Sequence, residues 1–189
     1  QNPHRKANQL LDLKVNRYQQ YAVHGWQADR YPPSQLQQLA LATGIDTQRL
    51  LRRMMDHGIK ADNVPALRYA PIAEVAWASG QVTNPEYVQA VKPSFSVELF
   101  RAPAAAELFR SWLRSRPDDS LWTLWTDGTR ATVARRGGDR LFGQRLYDLA
   151  RDVAQASGGL LDEGGICRAE RAVLGRIAAA WDIRQGREG

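Results

Sequence analysis

One pattern occurs twice in the 189 residues and constrains the fold more than any other: an amphipathic helical stretch, a glycine-bearing bend, and a second helix begun by a glutamate. In the first copy the order is Gly80, Val82, Glu86, and in the second Gly164, Ile166 and Glu170 keep the same spacing. A glycine can take the left-handed conformation that ends a helix, an aliphatic residue can pin the bend to a core, and a glutamate suits the positive end of the next helix. Thr83-Asn84-Pro85-Glu86 adds a capping box, with proline tolerated in the first turn. The pattern predicts an all-α chain: a multi-helix bundle with two related helix-bend-helix units, at about 65–91 and 141–181. No stretch alternates apolar and polar residues long enough to read as a strand.

The other helices follow from apolar spacing and from prolines and glycines. Leu10, Leu11, Leu13, Val15, Tyr18, Tyr21, Ala22 and Trp26 predict a long first helix over 6–28. Ser34 is the expected cap of a second helix that Gly44 closes, and Asp46 or Thr47 opens a third that ends at Gly58. Asn63 before Val64-Pro65 reads as the next helix start, and Pro71, which has no N–H, should kink or divide that helix. Pro93 interrupts the helix after Glu86, a further helix runs over 102–114, and Arg116-Pro117-Asp118-Asp119 turns into the next. Between 127 and 138, threonine and glycine lower helix propensity while arginines gather around Gly137-Gly138, so a mobile loop is expected there. The organisation read from this is an amino-terminal helical layer at 1–62, a main helical domain at 63–183 and a disordered tail at 184–189.

Composition narrows the function classes. A formal charge of +6, from 26 Lys+Arg against 20 Asp+Glu, attracts polyanions without the density of a nucleic-acid coat. One cysteine, Cys167, excludes an internal disulfide and a cysteine-based zinc site, which fits a cytoplasmic setting. No apolar run approaches the roughly 18–20 residues that span a bilayer, and the amino end has no apolar core of a signal peptide, so no membrane partner is expected. Nucleic acid remains a candidate through 34–57, where Ala40, Gly44 and Leu50 have the spacing of a helix-turn-helix. Gln48, Arg49, Arg52 and Arg53 would then face bases and phosphates. The plainer reading is that any two closely packed helices need that small-Gly-aliphatic pattern, with the arginines as their wet face.

The spacing Gly-x-aliphatic-x-x-x-Glu, with Pro65-Ala66-Leu67, 75–80, Trp112-Leu113-Arg114-Ser115-Arg116-Pro117 and Ala156-Ser157-Gly158-Gly159, resembles the tellurite-resistance TerB-like families. Their usual motif is an Asp-Gly pair followed by a Glu that begins the next helix. The resemblance covers about 36–181 and implies an all-helical fold with degenerate EF-hand-like units, a stress-related setting and no settled biochemical role. Ser79 stands where these families often carry Asp, which speaks against metal at the first bend.

A calcium site fails on its remaining ligands. With Gly80 or Gly164 at the turn glycine of an EF-hand and Glu86 or Glu170 at the bidentate position, the first two ligand positions fall on Val75 and Trp77 or on Gly159 and Leu161. None has a side-chain oxygen, so no metal and no cofactor are expected. His4, His24 and His57 form no HExxH, and whether one of them stands beside Cys167 or an activated Ser cannot be read from spacing. No catalytic residue is assigned. Six tryptophans are present; Trp77, Trp112 and Trp181 lie on apolar stripes, whereas Trp122 and Trp125, beside Arg135 and Arg136, are expected partly exposed as a partner surface. The preferred function is a non-enzymatic cytoplasmic interaction or scaffold module with a protein partner or a homo-oligomeric state. DNA binding is the alternative, and metal binding or catalysis the second alternative.

Overall fold

Prolines and glycines decide where the helices break. The computed structural model describes residues 31–136, 140–156 and 165–183, the side chains of residues 130–140 excepted. The predicted helix at 6–28, residues 157–164 with Gly164 among them, and the tail lie outside the described residues. Among the described residues there are nine α-helices and no strand. They are α1 (Pro33–Thr43), α2 (Gln48–Asp56), α3 (Ala70–Ala76), α4 (Asn84–Ala90), α5 (Val97–Phe100), α6 (Pro103–Arg114), α7 (Ser120–Arg136), α8 (Arg140–Ala156) and α9 (Arg168–Ala180). Two 3-10 turns, Val64–Tyr69 and Lys92–Phe95, lead into α3 and α5.

Several local expectations are corrected. α1 begins at Pro33 after an extended Pro32 (ψ 138°), and Ser34 supplies no cap bond: proline already fixes the first-turn φ, and the residue before it is driven out of the helical region. Asn63 begins a 3-10 turn rather than an α-helix, and its side chain closes the preceding loop, accepting from the Lys60 N–H (2.7 Å) and donating to the Gly58 carbonyl (2.9 Å). Pro71 divides its helix, standing in the first turn of α3, where no N–H is required. The loop expected at 127–138 is helical over its described part, since α7 runs unbroken to Arg136, while Gly137 and Gly138 lie outside the described residues. Tertiary packing outweighs local propensity there, because Gly128 is buried where a Cβ would lie 3.6 Å from Leu67 and 3.7 Å from Met54.

α3 sits at the centre. Ala70, Pro71, Ile72, Ala73, Val75 and Ala76 are all buried, so the helix is apolar nearly all round, and α4, α6, α7, α8 and α9 pack against it. α8 lies along both α3 and α4, and α9 closes over α3 and α8. α1 and α2 pack on each other, α2 meets α7, and their Leu36, Leu39, Leu51 and Met54 belong to the same continuous core as Ile72, Phe109, Leu146 and Ile177. The Trp77 indole N–H donates to the Trp112 carbonyl at 2.8 Å, fastening the end of α3 to α6. Trp181, after α9, lies edge-on to Phe142, which lies edge-on to Tyr69.

Candidate functional site

At the described part of each bend a capping box starts the next helix, and Glu86 Oε1 is left buried without a partner. At the first, Gly80 is left-handed (φ 98°), Val82 packs against the core, and the Thr83–Glu86 capping box is closed in both directions. Glu86 Oε2 accepts from the Thr83 N–H at 2.6 Å, and Thr83 Oγ1 accepts from the Glu86 N–H at 3.4 Å. At the second, Gly165 is the left-handed glycine described (φ 74°), Ile166 packs against the core, and Cys167 caps α9. Cys167 closes the same box: its Sγ accepts from the Glu170 N–H at 3.5 Å while Glu170 Oε2 accepts from the Cys167 N–H at 2.7 Å. Glu86 and Glu170 are 0% and 1% exposed, so each carboxylate is withdrawn from solvent. The Ser79 hydroxyl donates to the Gln81 carbonyl, which leaves it turning the chain. Among the described residues no group of three or more His, Cys, Asp or Glu side chains could hold a metal ion.

The helix-turn-helix stretch contains α1, a left-handed Gly44 and α2, with Leu50, Leu51, Met54 and Met55 buried. Of its candidate contacts, Arg49 is exposed, Gln48 and Arg52 are half-buried, and Arg53 is engaged, its Nη1 2.7 Å from Asp127 Oδ2 of α7. Arg53 therefore docks α2 onto α7. The aromatic surface is also corrected. Trp125 is 1% exposed and belongs to the core, because α7 turns it inward with Leu121 and Leu124. Trp122 is half-buried, 4.6 Å from Trp125 between ring centroids, with the Arg176 guanidinium 5.0 Å above its ring. The side chains of Arg135 and Arg136 are outside the described residues.

The fold brings together groups the sequence could not pair. His57, after α2, places Nε2 2.9 Å from Ser120 Oγ at the start of α7, and the Ser120 hydroxyl also meets Asp118 Oδ1. Hydrogen bonds from the Ser120 hydroxyl and backbone N–H hold the Asp118 carboxyl below its usual range, with His57 adding to the effect. The hydroxyl has one proton and the carboxylate is the stronger acceptor, so Ser120 donates to Asp118 and accepts from His57. A general base must instead offer its lone pair to the nucleophile, so this trio ties α2 to α7 without activating Ser120. Nearby, burial pushes the Glu74 carboxyl of α3 up, while Arg176, 3.6 Å away, pulls it down.

A second feature escaped sequence reasoning: Phe95, Val97 and Phe100 are 74%, 68% and 79% exposed. They belong to a well-held piece of chain. Leu99 of α5 is fully buried, and Ser96 Oγ caps α5 by accepting from the Leu99 N–H at 3.3 Å. Glu98 Oε1 accepts from Arg68 Nη1 at 2.8 Å and Glu98 Oε2 from the Tyr69 hydroxyl at 3.1 Å. Arg68 is itself seated over the Phe142 ring, 3.7 Å from its centroid. Burial, the largest cause, pushes the Tyr69 phenol up, which keeps it a donor. The missed signal was the four-residue helix between Pro93 and Pro103, too short to show a periodicity.

Compared with known proteins, the chain matches no family model, no curated protein and no solved structure.

Proposed function

We propose that the chain is a non-enzymatic interaction module of TerB-like type, built on two diverged helix-bend-helix units and docking through the tip formed by the Lys92–Phe95 turn and α5. The observation that carries the docking reading is the exposure of Phe95, Val97 and Phe100 on a segment whose other groups are buried or hydrogen-bonded. Large apolar side chains grouped on a held surface mark contact sites, because leaving them in water gains nothing for the fold.

The two-unit reading is supported by the paired capping boxes and by buried Glu86 and Glu170. A cytoplasmic, stress-related setting belongs to the same reading and rests on the family resemblance alone. Duplex binding by α2 is supported less well, since Arg53 is engaged by Asp127. The test is affinity capture from native cell extract with the wild type and with Phe95→Ser/Phe100→Ser. The expected result is one or more components lost with the variant. Identical profiles would overturn the assignment of the tip.

A further inference from the structure

The geometry points to an anionic lipid surface as the partner of the α5 tip, contacted by insertion of Phe95, Val97 and Phe100 between headgroups with Lys92 and Arg101 against the lipid charge. This rests on the tip being the docking surface and names what it docks to. Three observations favour a bilayer over a protein. First, exposures of 68–79% belong to side chains that project from the surface. A projecting tip needs a complementary pocket in a protein, whereas a lipid interface adapts to any shape. Second, the three side chains offer on the order of 400 Å² of apolar surface, and binding at a lipid interface scales with the apolar area buried there.

Third, between its two cations the tip uses most of its side-chain polar groups within the fold; the Ser94 hydroxyl is buried and without a partner. Ser96 is used in the cap of α5, and both oxygens of Glu98 are held by Arg68 and Tyr69. The backbone N–H groups of Ser94, Ser96, Phe100, Arg101 and Ala102 donate to carbonyls between Val91 and Leu99. A protein interface exchanges about one hydrogen bond per 100–200 Å², and this tip has few left to exchange. What faces outward is apolar side chains flanked by exposed Lys92 and Arg101, the composition that suits the boundary between headgroups and acyl chains. Among the described residues Arg101 has no ion-pair partner, and Lys92 meets only the Gln89 side chain. The formal charge of +6 adds attraction at longer range. Lying on a membrane differs from crossing one: no described helix is long and apolar enough to span a bilayer. The expectation of no membrane partner rested on the lack of a spanning segment and a signal peptide, and this proposal replaces it for the surface.

The experiment is flotation of the full chain with vesicles of phosphatidylcholine alone and of phosphatidylcholine mixed with phosphatidylserine. Binding to the mixed vesicles is expected, falling as salt is raised, with little binding to phosphatidylcholine alone. Phe95→Ser/Phe100→Ser should lose it while keeping the wild-type melting temperature, since both side chains are mostly outside the core. Lys92→Glu/Arg101→Glu should weaken it about thirtyfold or more, at about 1 kcal/mol for each cation lost. Failure of the wild type to bind mixed vesicles at low salt, or binding that the phenylalanine variant leaves unchanged, overturns the proposal. If extract capture still depends on Phe95 and Phe100 in that case, the tip docks a protein and the interaction reading stands. If neither assay depends on them, both readings fall.

Discussion

At Gly143 a single methyl group would meet a close neighbour. A Cβ there would lie 2.6–2.8 Å from the Trp181 indole, and Trp181 in turn lies edge-on to Phe142, so the ring has little room to retreat. Gly143→Ala is expected to lower stability by about 1–3 kcal/mol, as overpacking does. Gly175, in the middle of α9, is exposed with nothing within 4 Å of such a Cβ. Gly175→Ala should therefore raise stability by about 0.5–1 kcal/mol, the helix-propensity difference. Denaturant unfolding of the two variants side by side checks both signs. Cys167 is a third case, because the thiol that accepts from the Glu170 N–H at 3.5 Å is a weaker acceptor than a hydroxyl. Cys167→Ser should hold the same capping box and add about 0.5–1 kcal/mol. An unchanged or lower midpoint would mean that the sulfur packs better than it caps.

Among elements, α3 carries a half-buried acid, Glu74, whose ionisation opposes folding. Burial raises the Glu74 carboxyl, and the Arg176 ion pair only partly offsets it. An acid whose folded-state pKa lies above its unfolded value binds more protons when folded, so the stability it lends at low pH is lost as pH rises through that window. The unfolding free energy of the wild type, measured relative to Glu74→Gln, should fall as pH rises through and just above the ordinary carboxylate range, then level off toward neutrality. Parallel profiles would show that Glu74 ionises as freely in the fold as in the unfolded chain. α7 shows where element-scale reading from sequence stopped. Thr126, Gly128 and Thr129 argue locally for a break, but Gly128 packs against Leu67 and Met54, a contact between residues far apart in the chain that no local window contains. Trp125 misled because it was read by the arginines that follow it in sequence, whereas the helix places it with Leu121 and Leu124 in the core. By contrast the Thr83–Glu86 box, the left-handed Gly44 and Gly58, and the division at Pro71 were legible, because each is decided within about four residues.

For the whole molecule, the all-α class was legible from periodicity, while the groups that converge were not. His57 and Ser120 are 63 residues apart and meet because α2 packs against α7. The exposed tip stayed hidden because exposure is a property of the assembled surface, and Phe95 and Phe100 look like core residues until the rest of the chain turns away from them. The position of α3 has a consequence for how the chain comes into being. The helices packed around it, α4, α6, α7, α8 and α9, all follow it in sequence, so synthesis delivers the most apolar helix well before its covering. A chain halted before residue 140 presents Ile72 and Val75 without α8 or α9 and is expected to scatter light within minutes of dilution from denaturant, while the full chain stays clear. A clear, helical fragment would show that α6 and α7 alone suffice to cover α3. Otherwise the nascent protein has to be shielded until its last two described helices have left the ribosome.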